Sequence, residues 1–535
     1  MLRFWKLAQF KSVCKSTELE LAPLTVFAGA NSSGKSTIIQ SMLLTAQTLQ
    51  SPVLRRPVIL NGYMARLGAF SDIVSNANEE GTISIGFTLQ LTYDEERQLR
   101  TNYSSRSYRH NPFGFTNIGT AVIDCIYDFS MRDELQEREL LRLQPRLEKS
   151  YLKFHATAEE EEIEQEILMV RSSKSPEQRV NELDLADNRL SAQEVNSLQF
   201  EVARLHPTRW RRVRENLASS RNVGGTFRHF LPSRVTVAFD ALETEVRQVV
   251  DALITPAARD IRELELNEYY AINDNVRAII RDALSQLMDQ LREADRPTYS
   301  RLGDKYKQLP HDFSLTQWYD LYRYLSLSKR GILAQAINER RDELRRAVRS
   351  DRESRIELRS VPLPELLSSS VDAIQQYFSS SVRYLGPLRD EPKPVYPLAG
   401  AIDPSDVGFR GEHTAAVLDA HRNTVIEYVP SISFSVNGST ESHKIEQKLL
   451  AAVLDWLGYM GVGTNLRTVD RGVLGHELKI ATADGATLHD LTQVGVGVSQ
   501  VLPILVLSLL AEPGSTLIFE QPELHLHPRV QTRLA

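Results

Sequence analysis

The sequence predicts an α/β protein interrupted by a helical middle, and three observations predict it. Strand-like alternation with a glycine-rich loop opening a helix occupies the first 130 residues. The middle of the chain turns charged and helix-favouring. Strand-like and apolar helical runs then return towards the C-terminus.

The composition sets the bounds. At 535 residues the chain is long enough for roughly two to four domains with proper cores. The charge balance, 63 Lys+Arg against 69 Asp+Glu for a net −6, carries no global footprint for nucleic acid, so any such contact must be a local patch. Two cysteines, Cys14 and Cys125, suit a reducing cytosol and exclude a four-thiolate zinc site. Lys6 and Lys11 interrupt the start before an apolar leader could form, and the run Val501 to Ala511 is too short to span a bilayer and contains Pro503. A cytoplasmic protein without a membrane partner is expected.

The elements follow in order. LRFWKLAQF, Thr82 to Leu91 and Ala121 to Phe129 alternate as strands, with a helix expected from Lys35 to about Leu49. Residues 139 to 157 are ambiguous, because LLRLQ and YLKFHAT alternate while their surroundings favour helix. From Glu159 the chain reads as helical, and Val276, Ile280, Leu284, Leu287 and Leu291 share one helix face. Leu367, Val371, Ile374 and Phe378 form another such face and lead into the strand-like VRYLGP. No repeat of 20 to 50 residues is present. The simplest organisation is one α/β domain in two halves, 1–130 and 380–535, separated by a mostly helical insertion at 131–379.

GANSSGKST, Gly29 to Thr37, follows the apolar run LTVF and opens a helix, the strand–loop–helix context of a phosphate-binding loop. Backbone N–H groups of the loop and the helix start would face a triphosphate; Lys35 would reach its β- and γ-phosphates, and Ser36 would offer a hydroxyl to Mg²⁺. A plain glycine turn needs neither the lysine nor the hydroxyl in this register. Near the C-terminus, Gly495 and Gly497 with Ser499 and Gln500 precede an apolar helix, a second anion-binding helix start; close helix packing is the competing reading of the glycines. The run Thr516 to Phe519 then ends in Glu520, the form of a buried strand delivering an acid to a metal.

Together LTVFAGANSSGKSTIIQSMLLTAQ, YLGPLRDEP, GVGVSQVLPI and IFEQPELHLHP resemble the bacterial ATPases of the RecF/SMC/OLD-like branch of the ABC superfamily, closest to the predicted ATPases that carry EQPELHLHP. The likeness covers both ends of the chain and none of the middle. It implies an ABC-type P-loop ATPase head split by the insertion. Gly29, Asn31, Ser33, Gly34, Lys35, Ser36 and Thr37 would then form Walker A, and Gly495, Gly497 and Ser499 the signature motif, which in this class contacts the γ-phosphate bound to the opposite subunit. ATP and Mg²⁺ are the implied cofactors, with Ser36 and Glu520 at the metal. A homodimer or higher oligomer with sandwiched ATP is the implied assembly.

Glu520 and Gln521 stand where most relatives have Asp and a catalytic Glu. Gln521 can hold a water but cannot take its proton, so slow ATP hydrolysis is expected; Glu523 either supplies a carboxylate or caps the turn at Pro522. His525 and His527 lack the spacing of a metal pair. Relatives continue beyond this point to a switch histidine, so the chain is expected to stop short of the full C-terminal half, with no room for a nuclease domain of the OLD type.

Arg209, Trp210, Arg211, Arg212 and Arg214 form a basic-aromatic cluster with a claim on DNA or RNA phosphates, against salt bridging to Glu159 to Glu162 or plain surface exposure. Residues 340 to 359 interleave arginines with acids, as on a solvated helix face. The leading expectation is an ATPase acting as a nucleotide-driven dimer switch in anti-phage defence, as in Septu or Gabija, or in DNA repair, with a separate effector nuclease. The alternative is a non-hydrolysing ATP-binding scaffold that regulates such an effector. A P-loop kinase would leave the Gly495 and Glu520 segments without a role.

Overall fold

The computed structural model describes residues 1–30, 33–76, 81–92, 118–131, 145–158, 161–185, 190–206, 219–256, 272–294, 309, 313–350, 352–396, 405–434, 443–482 and 487–534. They fall into two compact units. The first joins both ends of the chain, as Met1–Glu164, Phe227–Leu231 and Ser369–Ala535, and the second comprises Gln165–Thr226 and Pro232–Ser368.

The N-terminal part of the first unit is an antiparallel sheet. Its strands are β1 (Leu2–Ala8), β2 (Thr17–Glu20), β3 (Thr82–Thr92), β4 (Ile118–Ser130) and β5 (Arg146–Ala158), in the order β2-β1-β3-β4-β5. Period-two alternation places Ile83, Ile85, Phe87 and Leu89 of β3, and Ala121, Ile123, Cys125, Tyr127 and Phe129 of β4, in the core. Of the ambiguous stretch, residues 146–157 are strand, while 139–144, with LLRLQ, lie outside the described residues. Leu152 and Phe154 pair with Cys125 and Ile123, and burying two such side chains, about 1.5–3 kcal/mol each, outweighs helix propensities of a few tenths per residue.

The helix Lys35–Gln50 packs on this sheet. Trp5 Nε1 donates to Ser41 Oγ at 2.9 Å, and Thr45 Oγ1 lies 2.8 Å from the Tyr127 hydroxyl. Every residue from Ser41 to Leu49 is buried, so the helix is enclosed on all sides rather than along one stripe.

LTVF, residues 24–27, does not form the expected strand. Thr25 Oγ1 accepts from the Ala22 N–H at 3.0 Å and donates to the Ala22 carbonyl at 3.1 Å. This side-chain turn beside Pro23 offers the backbone an alternative to a ladder, and Leu24 and Val26 are left 76% and 75% exposed.

Wholly or mostly in the second unit, β6 (Glu161–Arg171) pairs antiparallel with β7 (Phe200–His206), while β8 (Arg221–Arg228), β9 (Leu231–Asp240) and β10 (Ile356–Pro362) form a sheet of order β10-β9-β8. Helices Ala241–Ile254, Asp274–Ala294, Leu315–Tyr324, Leu327–Asn338 and Arg341–Arg349 enclose one apolar cluster. Val276, Ile280, Leu284 and Leu287 face it as the spacing predicted, and Trp318 Nε1 donates to the Leu253 carbonyl at 3.0 Å within it. The expectation of a mostly helical 131–379 therefore needs correction. Among the described residues helix dominates from Ala241 to Arg349, but strands precede and follow it, because charged side chains on a solvated sheet face disguise a period of two as helix-favouring composition.

The remaining strands belong to the first unit: β11 (Val382–Leu385), β12 (Val425–Tyr428), β13 (Ile445–Lys448), β14 (Asn465–Asp470), β15 (His476–Ala481), β16 (His489–Asp490) and β17 (Thr516–Phe519). β11 and β17 pair in parallel, Leu385 opposite Phe519. Helices Thr414–His421, Leu449–Met460 and Gly497–Leu510 share the core around Leu418, Val453, Leu457, Val501 and Leu505. The two ends of the chain meet where Gln50 Nε2 donates to the Phe378 carbonyl at 2.8 Å and the Phe378 ring meets Phe87 edge-on at 4.9 Å. The molecule is thus of mixed α/β class with a large antiparallel sheet. Among the described residues no helix is long and apolar enough to cross a membrane.

Candidate functional site

The glycine loop enters its helix through Gly34, whose φ of 91° lies in the left-handed region. A Cβ there would stand 2.8 Å from Ser12 Oγ, so both the backbone angle and the neighbouring hydroxyl call for glycine. No side chain caps the helix among the described residues and no acid occupies its first turn, so its own first turn supplies no anion to its positive end. Lys35 bends back over the loop, its ammonium donating to the Gly29 and Ala30 carbonyls at 2.7 Å each, with Ser33 Oγ at 3.5 Å.

The two hydroxyls after Lys35 face opposite ways. Thr37 is buried, its Oγ1 3.1 Å from Ser12 Oγ, whereas Ser36 is exposed and its hydroxyl makes no hydrogen bond among the described residues. Asn31 lies outside the described residues.

At the C-terminal end of β17, the Glu520 N–H donates to the Leu385 carbonyl at 3.0 Å, extending the pairing with β11 by one residue. Tyr384, on β11, donates its hydroxyl to Glu520 Oε2 at 2.6 Å. Both guanidinium nitrogens Nη1 and Nη2 of Arg389 lie 3.4 Å from the Glu520 carbonyl oxygen. Burial brings the Arg389 pKa down to about 10, against the opposing pull of Tyr384, Glu520 and Glu523, and its Nε has no partner. Burial, then the hydrogen bond and charge of Glu520, raise the Tyr384 phenol above its ordinary range, so it remains a donor at neutral pH.

Gln521 follows at a φ of 45° and is exposed. Glu523 is exposed as well, and its carbonyl accepts from Leu526 N and Gln531 Nε2, each at 3.2 Å. Its backbone therefore supports the turn into the helix Pro528–Leu534. His525 has a φ of 61°, and His527 Nδ1 accepts from Arg529 N at 3.2 Å at the start of that helix.

The second glycine motif divides. Gly495 is exposed and a Cβ on it would meet nothing within 4 Å; on Gly497 it would meet only Leu526 Cδ2 at 3.9 Å. Close helix packing therefore does not explain either glycine. Ser499 departs from the expectation that it faces a partner: it is 8% exposed, and its Oγ donates to the Val496 carbonyl at 2.7 Å. Its register on the helix turns it into a small cavity lined also by Asp390, Arg410, Thr414 and Pro503. The outward-facing residues of this turn are Gly495 and Val496.

The structure thus brings Glu520 together with Tyr384 and Arg389, while Ser499 lines one cavity with Asp390, the residue after Arg389 in the chain. Tyr384 and Arg389 belong to the recognised segment YLGPLRDEP, yet their individual roles depend on a strand pairing invisible in sequence. Ser12 carries no sequence signal. The cluster Arg209 to Arg214 lies outside the described residues. No protein-family model and no curated protein matches the chain.

Proposed function

We propose that this chain is an ABC-type P-loop ATPase that binds ATP with Mg²⁺ at Gly29 to Thr37 and acts as a nucleotide-driven dimer switch. The observation that carries the reading is the Lys35 ammonium, held over the loop by two carbonyls at the start of a helix that has neither a side-chain cap nor an acid in its first turn. That arrangement offers a cation and a set of N–H donors to an anion, and a triphosphate supplies stronger acceptors than the Gly29 and Ala30 carbonyls it would displace.

The residues present fit Mg²⁺. The exposed Ser36 hydroxyl and the Glu520 carboxylate, whose Oε1 has no hydrogen-bond partner among the described residues, are hard oxygen donors. Held by these two oxygens, the metal would supply positive charge against the phosphates. In this reading Lys35 binds and orients the phosphates, Glu520 holds the metal side, and Gln521 orients the attacking water through its amide without removing a proton, which makes turnover slow. The exposed face at Gly495 and Val496 meets the nucleotide of a second copy. Anti-phage defence or DNA repair with a separate effector nuclease, and with DNA as a possible ligand, is the setting the motif resemblance suggests.

Lys35→Ala tests the reading: titration with ATP is expected to show binding by the parent and its loss in the folded variant. Equal affinities overturn the loop assignment. The second reading, a non-hydrolysing scaffold, is favoured by one specific feature, the exposed amide of Gln521 in place of a carboxylate. Phosphate release by the parent decides between the two.

A further inference from the structure

We propose that Tyr384 and Arg389 are positioning residues that fix Glu520 for a divalent cation, Tyr384 through the carboxylate and Arg389 through the backbone carbonyl. The inference rests on the ATP·Mg²⁺ reading above and assigns roles to two residues which that reading leaves unused.

The geometry is that of an outer coordination shell. A carboxylate at the end of a strand has rotational freedom about its own side-chain bonds, and an oxygen that must face a metal gains from having its twin held. Tyr384 holds that twin, donating to Oε2 at 2.6 Å and leaving Oε1 without a partner among the described residues. The phenol is itself fixed, because its strand is paired with the strand that carries Glu520 and its ring lies 6.0 Å from that of Phe409.

Arg389 acts one bond further back. The chain passes from β17 into a positive φ of 45° at Gln521, and an oxygen at that corner must be held if Glu520 and Gln521 are to keep their directions. Arg389 is 8% exposed and presents both Nη atoms to the Glu520 carbonyl at 3.4 Å. A buried guanidinium aimed at a single carbonyl, with its Nε unpartnered, is a poor device for stability alone, since it carries a desolvation cost without a full set of bonds. As a support for the corner that aims Glu520, its position has a function.

Both residues come from the short segment Tyr384 to Arg389, so one stretch of chain grips Glu520 by side chain and backbone together. Outer-shell partners of this kind alter metal affinity typically about 10- to 100-fold when removed.

The experiment measures ATP affinity by calorimetry with Mg²⁺ and with excess EDTA and takes the ratio of the two. Tyr384→Phe removes one oxygen and keeps the ring. It is expected to leave the affinity in EDTA at the parent's value and to cut the enhancement by Mg²⁺ about tenfold. Glu520→Gln is expected to cut the enhancement too, and adding Tyr384→Phe to it should change nothing further, whereas a merely structural defect would add. Arg389→Lys, which keeps the charge but loses the two-pronged contact, should lower the same ratio and serves as the readout if Tyr384→Phe does not fold. A parent whose affinity is indifferent to Mg²⁺, or folded variants that keep the parent's ratio, overturn the positioning role alone. A parent that binds ATP in neither condition overturns this role together with the ATPase reading.

Discussion

Replacing Gly34 with alanine separates two physical demands that meet at the loop. The first is backbone: at a φ of 91° a Cβ crowds the following carbonyl, at about 1–2 kcal/mol for an L-residue in the left-handed region. The second is steric. The new Cβ would stand 2.8 Å from Ser12 Oγ, and the shift this forces breaks the contact of that hydroxyl with Thr37 Oγ1 at 3.1 Å, adding about 0.5–1.5 kcal/mol. Gly34→Ala should therefore destabilise the start of the helix by roughly 1.5–3.5 kcal/mol. In a Ser12→Gly background only the backbone share, about 1–2 kcal/mol, should remain. A chain of two units need not unfold in one step, so hydrogen exchange of the amides following Lys35 is the suitable assay, because it reads the local opening free energy. A cost below about 0.5 kcal/mol in the parent background would refute the argument as a whole, being within the range of ordinary surface changes. An equal cost with and without Ser12 would refute its steric half.

Gly495→Arg should block ATP-driven dimerisation while leaving thermal stability close to the parent's, because the position is exposed and a Cβ there meets nothing within 4 Å among the described residues; sedimentation with and without ATP checks it. Ser499→Arg should instead unfold or markedly destabilise the chain, since it buries a charge at a site only 8% exposed. Gln521→Glu should raise steady-state phosphate release, or lower it only modestly, by placing a base where the amide stands, whereas Glu520→Gln should reduce it through loss of metal-side charge. A fall of several orders of magnitude in Gln521→Glu with survival of Glu520→Gln would mean the two roles are reversed.

Sequence alone determined those elements whose apolar side chains alternate, recur with one period or run together over a short stretch. The strands β3 and β4, the helix Lys35–Gln50, the face from Val276 to Leu287 and the strand ending at Glu520 were all legible, because the hydrophobic effect acts on a periodicity written in the residues themselves. The proposal for Gly29 to Thr37 is likewise a local one, resting on a glycine, a lysine and a hydroxyl at fixed spacing within nine residues.

Tertiary structure decided whatever depends on a distant partner. Residues 146–158 became strand because β4 stood ready to pair with them, while LTVF, equally apolar, was drawn into a turn by Thr25. Ser499 reads in sequence as part of an exposed motif, yet its register on the helix turns it inward while Gly495 and Val496 stay outside. Nothing in the letters Tyr384 and Arg389 points to Glu520. The parallel pairing of Val382–Leu385 with Thr516–Phe519 puts them there, and a hydrogen bond of 2.6 Å between residues so far apart in the chain exists only once the strands between which it forms have found each other.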